Sequence, residues 1–410
     1  MKKIIVPGSS NTGMKIRTGK MPAPGKKILR GKGASQTVAS SRLRGKVVFK
    51  AKRGTDLFSS MVVSLLMRGR ISALTLMILM ASAACRNNSP VRTEPVRIIL
   101  DTDLGPDYDD VGALAFLHAM ADSGKAEILA TISSNRNELV APSIDVINTY
   151  FNRPYLIIGA PKTNGVSMGA SQHWPDSIVA RYPHKVRSTS DVPDAVAVYR
   201  KILASQPDNS VTLVTIGFLT NLNGLLHSMS DTISRMSGKE LVERKVKKLV
   251  SMAGWFPKGK EFNIFMDSAS SKYVYENWPG EIIFTGFEIG KEIHTGLKIV
   301  ASGIKNSPVR DVFRISIPLS EEDKNGRMSW DETAVLIAVY GTDRFFTLRR
   351  GTIIVNDDGS NTWKENSSGR QAYVVMKASP KEIGAFIEER MMHTPLTKTK
   401  NQGHAGLLFN

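Results

Sequence analysis

The sequence contains one cysteine, Cys85, in 410 residues. A single thiol cannot form a disulfide within the chain, nor can it build a zinc site that depends on several cysteines. The longest apolar run, at positions 71–84, has 14 residues, whereas a helix that spans a bilayer needs about 20. A disulfide scaffold, a cysteine-based zinc domain and a helical membrane span are therefore excluded.

Acidic residues are almost absent from the first 84 positions, which contain Asp56 as their only acid but hold 17 of the 55 Lys and Arg residues. The other 326 residues hold 38 bases and 36 acids, a net charge of +2, so the formal charge of +18 belongs mainly to the N-terminal segment. The nearly neutral remainder excludes a uniformly basic nucleic-acid-binding surface. We expect no nucleic-acid partner.

Residues 1–66 are rich in Lys, Arg, Gly and Ser and show no sustained apolar period, so we expect them to be disordered. Residues 67–84 consist of a short basic stretch followed by the apolar run, and they end directly before Cys85. This order resembles a bacterial lipoprotein signal peptide with its lipobox, although Ser82 stands where an aliphatic residue is usual. The resemblance implies a lipidated Cys85 and export to the periplasm or the outer membrane, with the lipid anchor as the only membrane contact.

Two alternatives stay open for this segment. A plain secretory signal would also export the protein but would leave Cys85 without a role. Because signal peptides normally begin at the N-terminus, translation from Met61 or Met67 is a further hypothesis, in which the residues before that start are not part of the protein.

From Pro95 onward, short β-branched runs alternate with segments of helical period. We predict strands at 96–100, 127–132, 155–159, 211–216, 248–253 and 281–286. We predict helices at 110–121, 141–151, 192–205, 221–229 and 268–277. Strands that are apolar on both faces and separated by helices form parallel sheets. The sequence therefore predicts one α/β domain over residues 96–410, with a mostly parallel central sheet flanked by helices, a small C-terminal hairpin at 351–363 and a final helix from Pro380 to about Met392.

Five carboxylates fall within ten residues where the first predicted strand leads into the first helix: Asp101, Asp103, Asp107, Asp109 and Asp110. Ligands of such sheets bind beyond the carboxyl ends of the strands. Unpaired carboxylates there repel one another, and a hard cation such as Ca²⁺, which takes about six to eight oxygen ligands, would offset the repulsion. Negative charge is stabilising at a helix N-terminus, which explains Asp109 and Asp110 but not Asp101, Asp103 and Asp107.

The segment from Asp101 to Asp110 resembles the Asp-x-Asp-x-Gly-x-Asp-Asp signature of the inosine-uridine preferring nucleoside hydrolases. Three further segments resemble the same family in the same order: Gly217-Phe-Leu-Thr-Asn221, Glu261-Phe-Asn-Ile-Phe-Met-Asp267 and Asp331-Glu-Thr-Ala-Val335. The resemblance covers about residues 97–340. It implies hydrolysis of the N-glycosidic bond of ribonucleosides or related N-ribosides by a calcium-bound water, which releases the base and ribose.

Site residues follow from the resemblance position by position. It implies that Asp103 is the catalytic base and also contacts Ca²⁺, and that Asp110, Asp331 and the backbone carbonyl of Ile216 complete the metal site. It implies a set of ribose-binding positions, which are Asp109, Asn137 or alternatively Asn135, Glu261 and Asn263. Trp330, next to Asp331, is a further candidate substrate contact that does not come from the resemblance. Members of the family are commonly oligomeric, so a homo-oligomer is one arrangement that the resemblance allows.

Three departures from the family leave the substrate open. The signature is two residues longer, so either Asp107 or Asp109 could bind ribose. Trp330 stands where purine-active members often carry a histidine that protonates the departing base, and an indole can stack or pack but cannot serve as that acid. The loop before Glu261 is short. His173 and His294 are alternative acids, and Glu288 is a further carboxylate to consider.

Two other functions compete with hydrolysis. A nucleoside- or sugar-binding lipoprotein of the same fold would keep the calcium site without turnover, as the loss of the histidine suggests. An Asp-x-Asp sequence after an apolar strand also fits a haloacid-dehalogenase-type phosphatase, but the Gly-Pro-Asp-Tyr-Asp-Asp tail of the segment argues against this function.

Overall fold

The computed structural model describes residues 94–395 and the backbone of three short strands closer to the N-terminus. These strands, β1 (Ile4–Val6), β2 (Met14–Arg17) and β3 (Val48–Lys50), form an antiparallel sheet of their own. The prediction of disorder for residues 1–66 included no strands. The rest of that segment, the predicted signal peptide at 67–84 and Cys85 lie outside the described residues, so these interpretations stay predictions.

Ten strands of residues 94–395 form one sheet, and two more, β11 and β12, pair separately. The strands are β4 (Val96–Thr102), β5 (Ala126–Ser133), β6 (Ile158–Gly159), β7 (Val211–Thr215), β8 (Val246–Met252), β9 (Lys258–Lys260), β10 (Ile282–Thr285), β11 (His294–Thr295), β12 (Arg327–Met328), β13 (Phe346–Val355), β14 (Ser360–Glu365) and β15 (Gln371–Met376). The order in the large sheet is β6-β5-β4-β7-β8-β10-β15-β13-β14-β9. Strands β6 to β15 in this order are parallel, and β13, β14 and β9 extend the sheet with antiparallel pairs.

Helices cover both faces of this sheet. They are α1 (Asp109–Asp122), α2 (Val140–Tyr150), α3 (Trp174–Arg181), α4 (Ala195–Ser205), α5 (Thr220–His227), α6 (Gly238–Lys245), α7 (Phe262–Met266), α8 (Ser268–Asn277), α9 (Phe287–Gly290), α10 (Leu297–Ala301), α11 (Pro308–Ser316), α12 (Trp330–Tyr340) and α13 (Pro380–Met391). Three short 3₁₀ helices lie at Thr189–Asp191, Ile317–Leu319 and Glu321–Asp323. None of the helices within residues 94–395 is both long enough and apolar enough to cross a membrane.

Alternation along β4 shows why the sheet needs a layer on each side. Ile98 and Leu100 belong to a core that includes residues of α1 and α12, whereas Ile99, between them, belongs to a second core with residues of α4 and α5. Successive side chains of a strand point to opposite faces, so a strand that is apolar throughout requires two apolar layers. The α/β class and the mostly parallel sheet are thereby confirmed.

The predicted strands are all present, with one large difference in extent. The strand predicted at 155–159 contains only Ile158–Gly159, because residues 154–156 form a turn and a bend before it. The predicted hairpin is present as β13 and β14, which join through a turn at Asp358 and Gly359, and the final helix ends at Met391. Strand β15 was not predicted, although it pairs in parallel with β10 and joins the parallel strands to the antiparallel extension.

Candidate functional site

One cavity at the carboxyl ends of β4, β7 and β8 brings most of the predicted site residues together. Its wall contains Asp107, Met252, Phe262 and Phe287 and the following predicted residues: Asp103, Asp109, Asp110, Ile216, Glu261, Asn263, Trp330 and Asp331. These positions come from four separate segments of the sequence. Parallel strands end at the same edge of the sheet, and this topology produces the convergence.

The backbone around Asp103 is fixed by its neighbours. The Ile216 N–H donates to the Asp101 carbonyl at 2.8 Å, which aligns the end of β7 with the end of β4. The Asn135 amide donates to the Asp103 carbonyl at 2.9 Å. Gly217 lies so close that a Cβ atom at that position would be 2.5 Å from the Asp103 nitrogen. The glycine of the Gly-Phe-Leu-Thr-Asn segment is therefore required by this close approach.

Three carboxylates form a group with the dimensions of a cation site. Asp109, Asp110 and Asp331 each offer an oxygen within 4.8 Å of the others, and all three side chains are buried. Thr102 donates its hydroxyl to Asp110 Oδ1, but the buried Asp110 Oδ2 has no hydrogen-bond partner within residues 94–395. Such an oxygen is costly unless a donor or a cation satisfies it. Carboxylate and carbonyl oxygens are the ligands that Ca²⁺ and Mg²⁺ prefer, so these residues fit a hard metal ion.

The electrostatics of this group also favour a cation. Burial, followed by repulsion from Asp109, raises the pKa of Asp110 well above its ordinary value, and burial and the same neighbour raise the pKa of Asp331. Groups in this state bind either protons or a positive ion. The site is therefore a candidate metal centre, which agrees with the predicted roles of Asp110 and Asp331.

Asp103 lines the same cavity but is not one of the three grouped carboxylates. It is buried, and burial, followed by the charges of Asp110 and Asp107, raises the pKa of Asp103 well above its ordinary value. A carboxylate in this environment binds a proton more readily than an exposed one. Asp103 is therefore a candidate proton acceptor in the cavity wall.

Arg327, which the sequence analysis missed, contacts two carboxylates of the cavity wall. Its guanidinium is buried and donates two hydrogen bonds to Asp109 Oδ1, from Nε at 3.1 Å and from Nη2 at 2.8 Å. It also forms an ion pair of 2.7 Å with Asp107. No motif marks this arginine in the sequence, and only its place four residues before Asp331 could have drawn attention to it.

The Glu261 and Asn263 side chains are engaged by the backbone around them. Glu261 is the N-cap of α7 and accepts hydrogen bonds from the N–H groups of Asn263, Ile264 and Gly254 at 2.7, 3.2 and 3.0 Å. Asn263 donates its amide to the Met252 carbonyl at 3.1 Å. Glu261 therefore fixes the cavity wall, while the amide oxygen of Asn263 is the part of that side chain left for a ligand.

An aromatic wall forms another side of the cavity. The Trp330 indole N–H donates to the Phe287 carbonyl at 2.8 Å, and the two rings stack with centroids 5.2 Å apart. The Arg327 guanidinium lies 5.1 Å from the Trp330 ring. Trp330 therefore both packs and lines the cavity, and its only donor is already used.

No histidine within residues 94–395 lines this cavity. His173 is exposed beside Asp176, and His294 contacts the Gly326 carbonyl at 3.0 Å. His118 is buried against Asn148, and burial lowers its pKa to about 3, so it is structural. Glu288 does not line the cavity either, although burial raises its pKa to about 7.

Three other polar residues lie outside the cavity wall. Asp101 is fully buried and accepts hydrogen bonds from Tyr199 at 2.8 Å and from Asn221 at 3.1 Å, so it joins β4 to α4 and α5. Asn137 accepts the Leu139 N–H at 3.1 Å and does not line the cavity, whose wall likewise lacks Asn135. The predicted ribose contact at Asn137 stays a prediction.

A larger cavity of about 450 Å³ near Lys162 and Asp267 contains none of the grouped carboxylates.

Comparisons with known proteins agree with this geometry. Residues 98–383 match the sequence profile of the family described as inosine-uridine preferring nucleoside hydrolase. A search of curated protein sequences finds no match.

Solved structures give the same fold. A purine-preferring ribonucleoside hydrolase from Gardnerella vaginalis superposes with a TM-score of 0.57 and 16% identity, over 72% of this chain and 98% of that one. A plant nucleoside hydrolase gives 0.55 and 17%, over 73% and 99%. The type III effector protein XopQ, complexed with adenosine diphosphate ribose, gives 0.54 and 14%, over 78% and 99%. At these identities the likeness establishes the fold.

Proposed function

The chain belongs to the inosine-uridine preferring nucleoside hydrolase family, whose members are hydrolases that act on N-glycosyl compounds, and we propose on this premise that it hydrolyses ribonucleosides or related N-ribosides with the help of Ca²⁺. One observation carries the proposal: Asp103, Asp110, Asp331 and Ile216, from distant parts of the sequence, line one cavity at the carboxyl edge of the sheet. The buried Asp110 Oδ2, which accepts no hydrogen bond from residues 94–395, is an oxygen that a bound cation would satisfy.

The residues divide the chemistry between them. Asp110, Asp331 and the Ile216 carbonyl would hold the cation, which when bound supplies positive charge that orients a water and makes it more acidic. Asp103 accepts the proton of the attacking water, since its buried carboxylate has a raised pKa and faces the same cavity. The remaining negative charge favours the oxocarbenium-like centre that forms as the N-glycosidic bond breaks.

Sugar and base occupy different parts of the cavity in this proposal. The sugar lies against the carboxylates and the Asn263 amide, and the base lies against Phe287 and Trp330. These rings can contact a flat heterocycle but cannot protonate it. We therefore expect the highest activity on substrates whose leaving group departs without a proton.

Replacement of Asp103 by Asn tests the proposal. The variant should lose about 10²- to 10⁴-fold in kcat on p-nitrophenyl riboside, the range usual for a general base, while it still binds ribose in calorimetry. Asp208→Asn is a matched control, because Asp208 is a half-exposed, ion-paired carboxylate before the amino end of β7, at the opposite edge of the sheet. A wild-type protein that binds ribosides but hydrolyses none would favour the sugar-binding alternative.

We also propose that the protein is exported and lipidated at Cys85, on the strength of the apolar run and the small residues before that cysteine. Expression of the full chain in a bacterial host should give a membrane-associated product whose intact mass corresponds to a lipid-modified Cys85 at its N-terminus. Recovery of an unlipidated, soluble periplasmic product would favour the plain secretory signal instead.

A further inference from the structure

Arg327 is the only cation that the cavity's acidic loop contacts within residues 94–395, and it reaches this position through β12, where it pairs with Thr295 of β11. Its guanidinium contacts three carboxylates: Asp109, Asp107 and, at 3.7 Å, Asp323. It also lies 4.9 Å from the Tyr108 ring. A guanidinium with a fixed fork of donors, packed between rings, holds its partners in one geometry far better than a lysine would.

Asp109 is the more firmly engaged of the two carboxylates that Arg327 holds in the cavity wall. Its Oδ1 accepts both Arg327 hydrogen bonds, and its Oδ2 accepts the Asp331 N–H at 3.3 Å. The side chain is almost completely buried. A hydroxyl that approached Asp109 Oδ1 would have to compete with two charge-assisted bonds from a buried arginine, which is unfavourable.

Asp107 has the opposite character. It lies two residues earlier, lines the cavity, and about half of its side chain is exposed. Arg327 contacts Oδ1 at 2.7 Å, and no hydrogen bond reaches Oδ2 from residues 94–395. One contact to a fixed guanidinium restricts the rotation of this carboxylate and leaves its second oxygen ready to accept a hydrogen bond from a ligand.

We propose that Arg327 is a positioning residue that withdraws Asp109 from the substrate and presents Asp107 as the carboxylate that binds a sugar hydroxyl. This inference rests on the proposed hydrolase function and adds the specificity residue to it. The loop between Gly105 and Asp109 is two residues longer than in the family signature, and it contains Asp107. The longer loop thus supplies a second carboxylate that can take the place of Asp109 at the sugar.

Discrimination between ribosides and deoxyribosides tests the inference. We would measure kcat/KM of wild type, Asp107→Asn, Asp109→Asn and Arg327→Lys for p-nitrophenyl riboside and its 2-deoxy and 3-deoxy analogues. Asp107→Asn should lose about 10- to 100-fold on the riboside, as expected for a hydrogen bond to a charged group, mainly through KM, and much less on one of the two analogues. Asp109→Asn should lower activity on all three substrates by a similar factor.

Arg327→Lys should lower the preference for the riboside as Asp107→Asn does, because a lysine cannot hold both carboxylates in the fork geometry. Arg327→Met combined with Asp109→Asn removes the buried Arg327–Asp109 pair together, and the buried Asp323 keeps its hydrogen bond from Tyr108, so this second variant serves where loss of Arg327 alone would unfold the protein. It should keep more riboside preference than the further variant that also carries Asp107→Asn. Asp208→Asn again serves as the matched control.

The outcomes separate the two levels of the proposal. If Asp109→Asn abolishes the preference for a sugar hydroxyl while Asp107→Asn keeps it, Asp109 is the sugar ligand and this inference is wrong although the hydrolase function stands. If Arg327→Lys leaves the riboside preference and KM unchanged, Arg327 has only a structural role. A wild-type protein that hydrolyses no riboside overturns the proposed function and this inference with it.

Discussion

Replacement of Asp110 by Asn should make the metal-free protein more stable and should at the same time remove its stabilisation by Ca²⁺. Asp110 is buried, and one of its oxygens lies within 4.8 Å of oxygens of Asp109 and Asp331. Two unit charges at this distance repel by about 3.5 kcal/mol at an effective dielectric constant of about 20. The substitution removes two of the three repulsive pairs in the group.

Protonation of the group already relieves part of this repulsion, because the pKa values of Asp110 and Asp331 are raised. The new amide can donate to the neighbouring carboxylates, so it need not remain unpaired. We therefore expect a gain of about 2 to 4 kcal/mol in the free energy of unfolding of the metal-free protein, which corresponds to a rise in Tm of about 3 to 6 °C for a domain of this size.

Thermal unfolding in EDTA and in excess Ca²⁺ measures both effects. Wild type should gain stability with Ca²⁺, by about 2.7 kcal/mol at a free concentration of 100 times the Kd, whereas Asp110→Asn should start higher in EDTA and respond little. Asp208→Asn should behave as wild type in its response to Ca²⁺. The reasoning is refuted if Asp110→Asn is no more stable than wild type in EDTA and still responds fully to Ca²⁺.

Three further predictions follow from the same site. The folded-state pKa of Asp331 lies above its unfolded value, so the stability of the metal-free protein falls as the pH rises from the unfolded to the folded pKa. Since protons compete with the cation, the Tm increase caused by Ca²⁺ should be larger at pH 8 than at pH 5.5. An equal increase at both pH values would contradict the raised pKa of Asp331. Wild type should have a kcat/KM for p-nitrophenyl riboside at least about 100-fold higher than for inosine, because a general acid contributes about 10²- to 10⁴-fold. Trp330→His should reduce this difference by raising the activity on inosine. Equal kcat/KM values in wild type would show that another group protonates the base. Gly217→Ala should lower kcat by at least about 10-fold while circular dichroism shows a folded protein, since its Cβ would lie 2.5 Å from the Asp103 nitrogen; unchanged kinetics would mean that the Asp103 backbone can shift freely.

The sheet could be predicted because its determinants are local. A strand such as β4 is apolar on both faces, and the helices between strands have their own period, so alternation alone indicates a parallel sheet. Strand β6 could not be placed as accurately, since most of the apolar segment at 155–159 precedes it as turns, and its pairing consists of two residues beside β5. Its extent depends on tertiary contacts that the sequence pattern does not contain.

The candidate site divides in the same way. Asp103, Asp110 and Asp331 could be named as candidates because each lies in a recognisable motif, and the shared edge of the sheet brings them to one cavity. Arg327 was missed because nothing in its own segment marks it. Its guanidinium reaches Asp109, 218 positions earlier, through the pairing of β11 with β12, which no local pattern predicts. Asn137 is the opposite case. It lies in a segment that resembles the family, but its side chain accepts the N–H of Leu139 in its own loop and does not line the cavity.

The central claim is tested most directly by hydrolysis of inosine, uridine and p-nitrophenyl riboside by the wild-type protein, with Ca²⁺ and with a chelator. We predict release of ribose from at least one of these compounds in Ca²⁺, loss of that activity in the chelator, and recovery when Ca²⁺ is restored. Hydrolysis that continues unchanged in the chelator would contradict the metal's role, and the absence of hydrolysis under all conditions would contradict the proposed activity on ribosides.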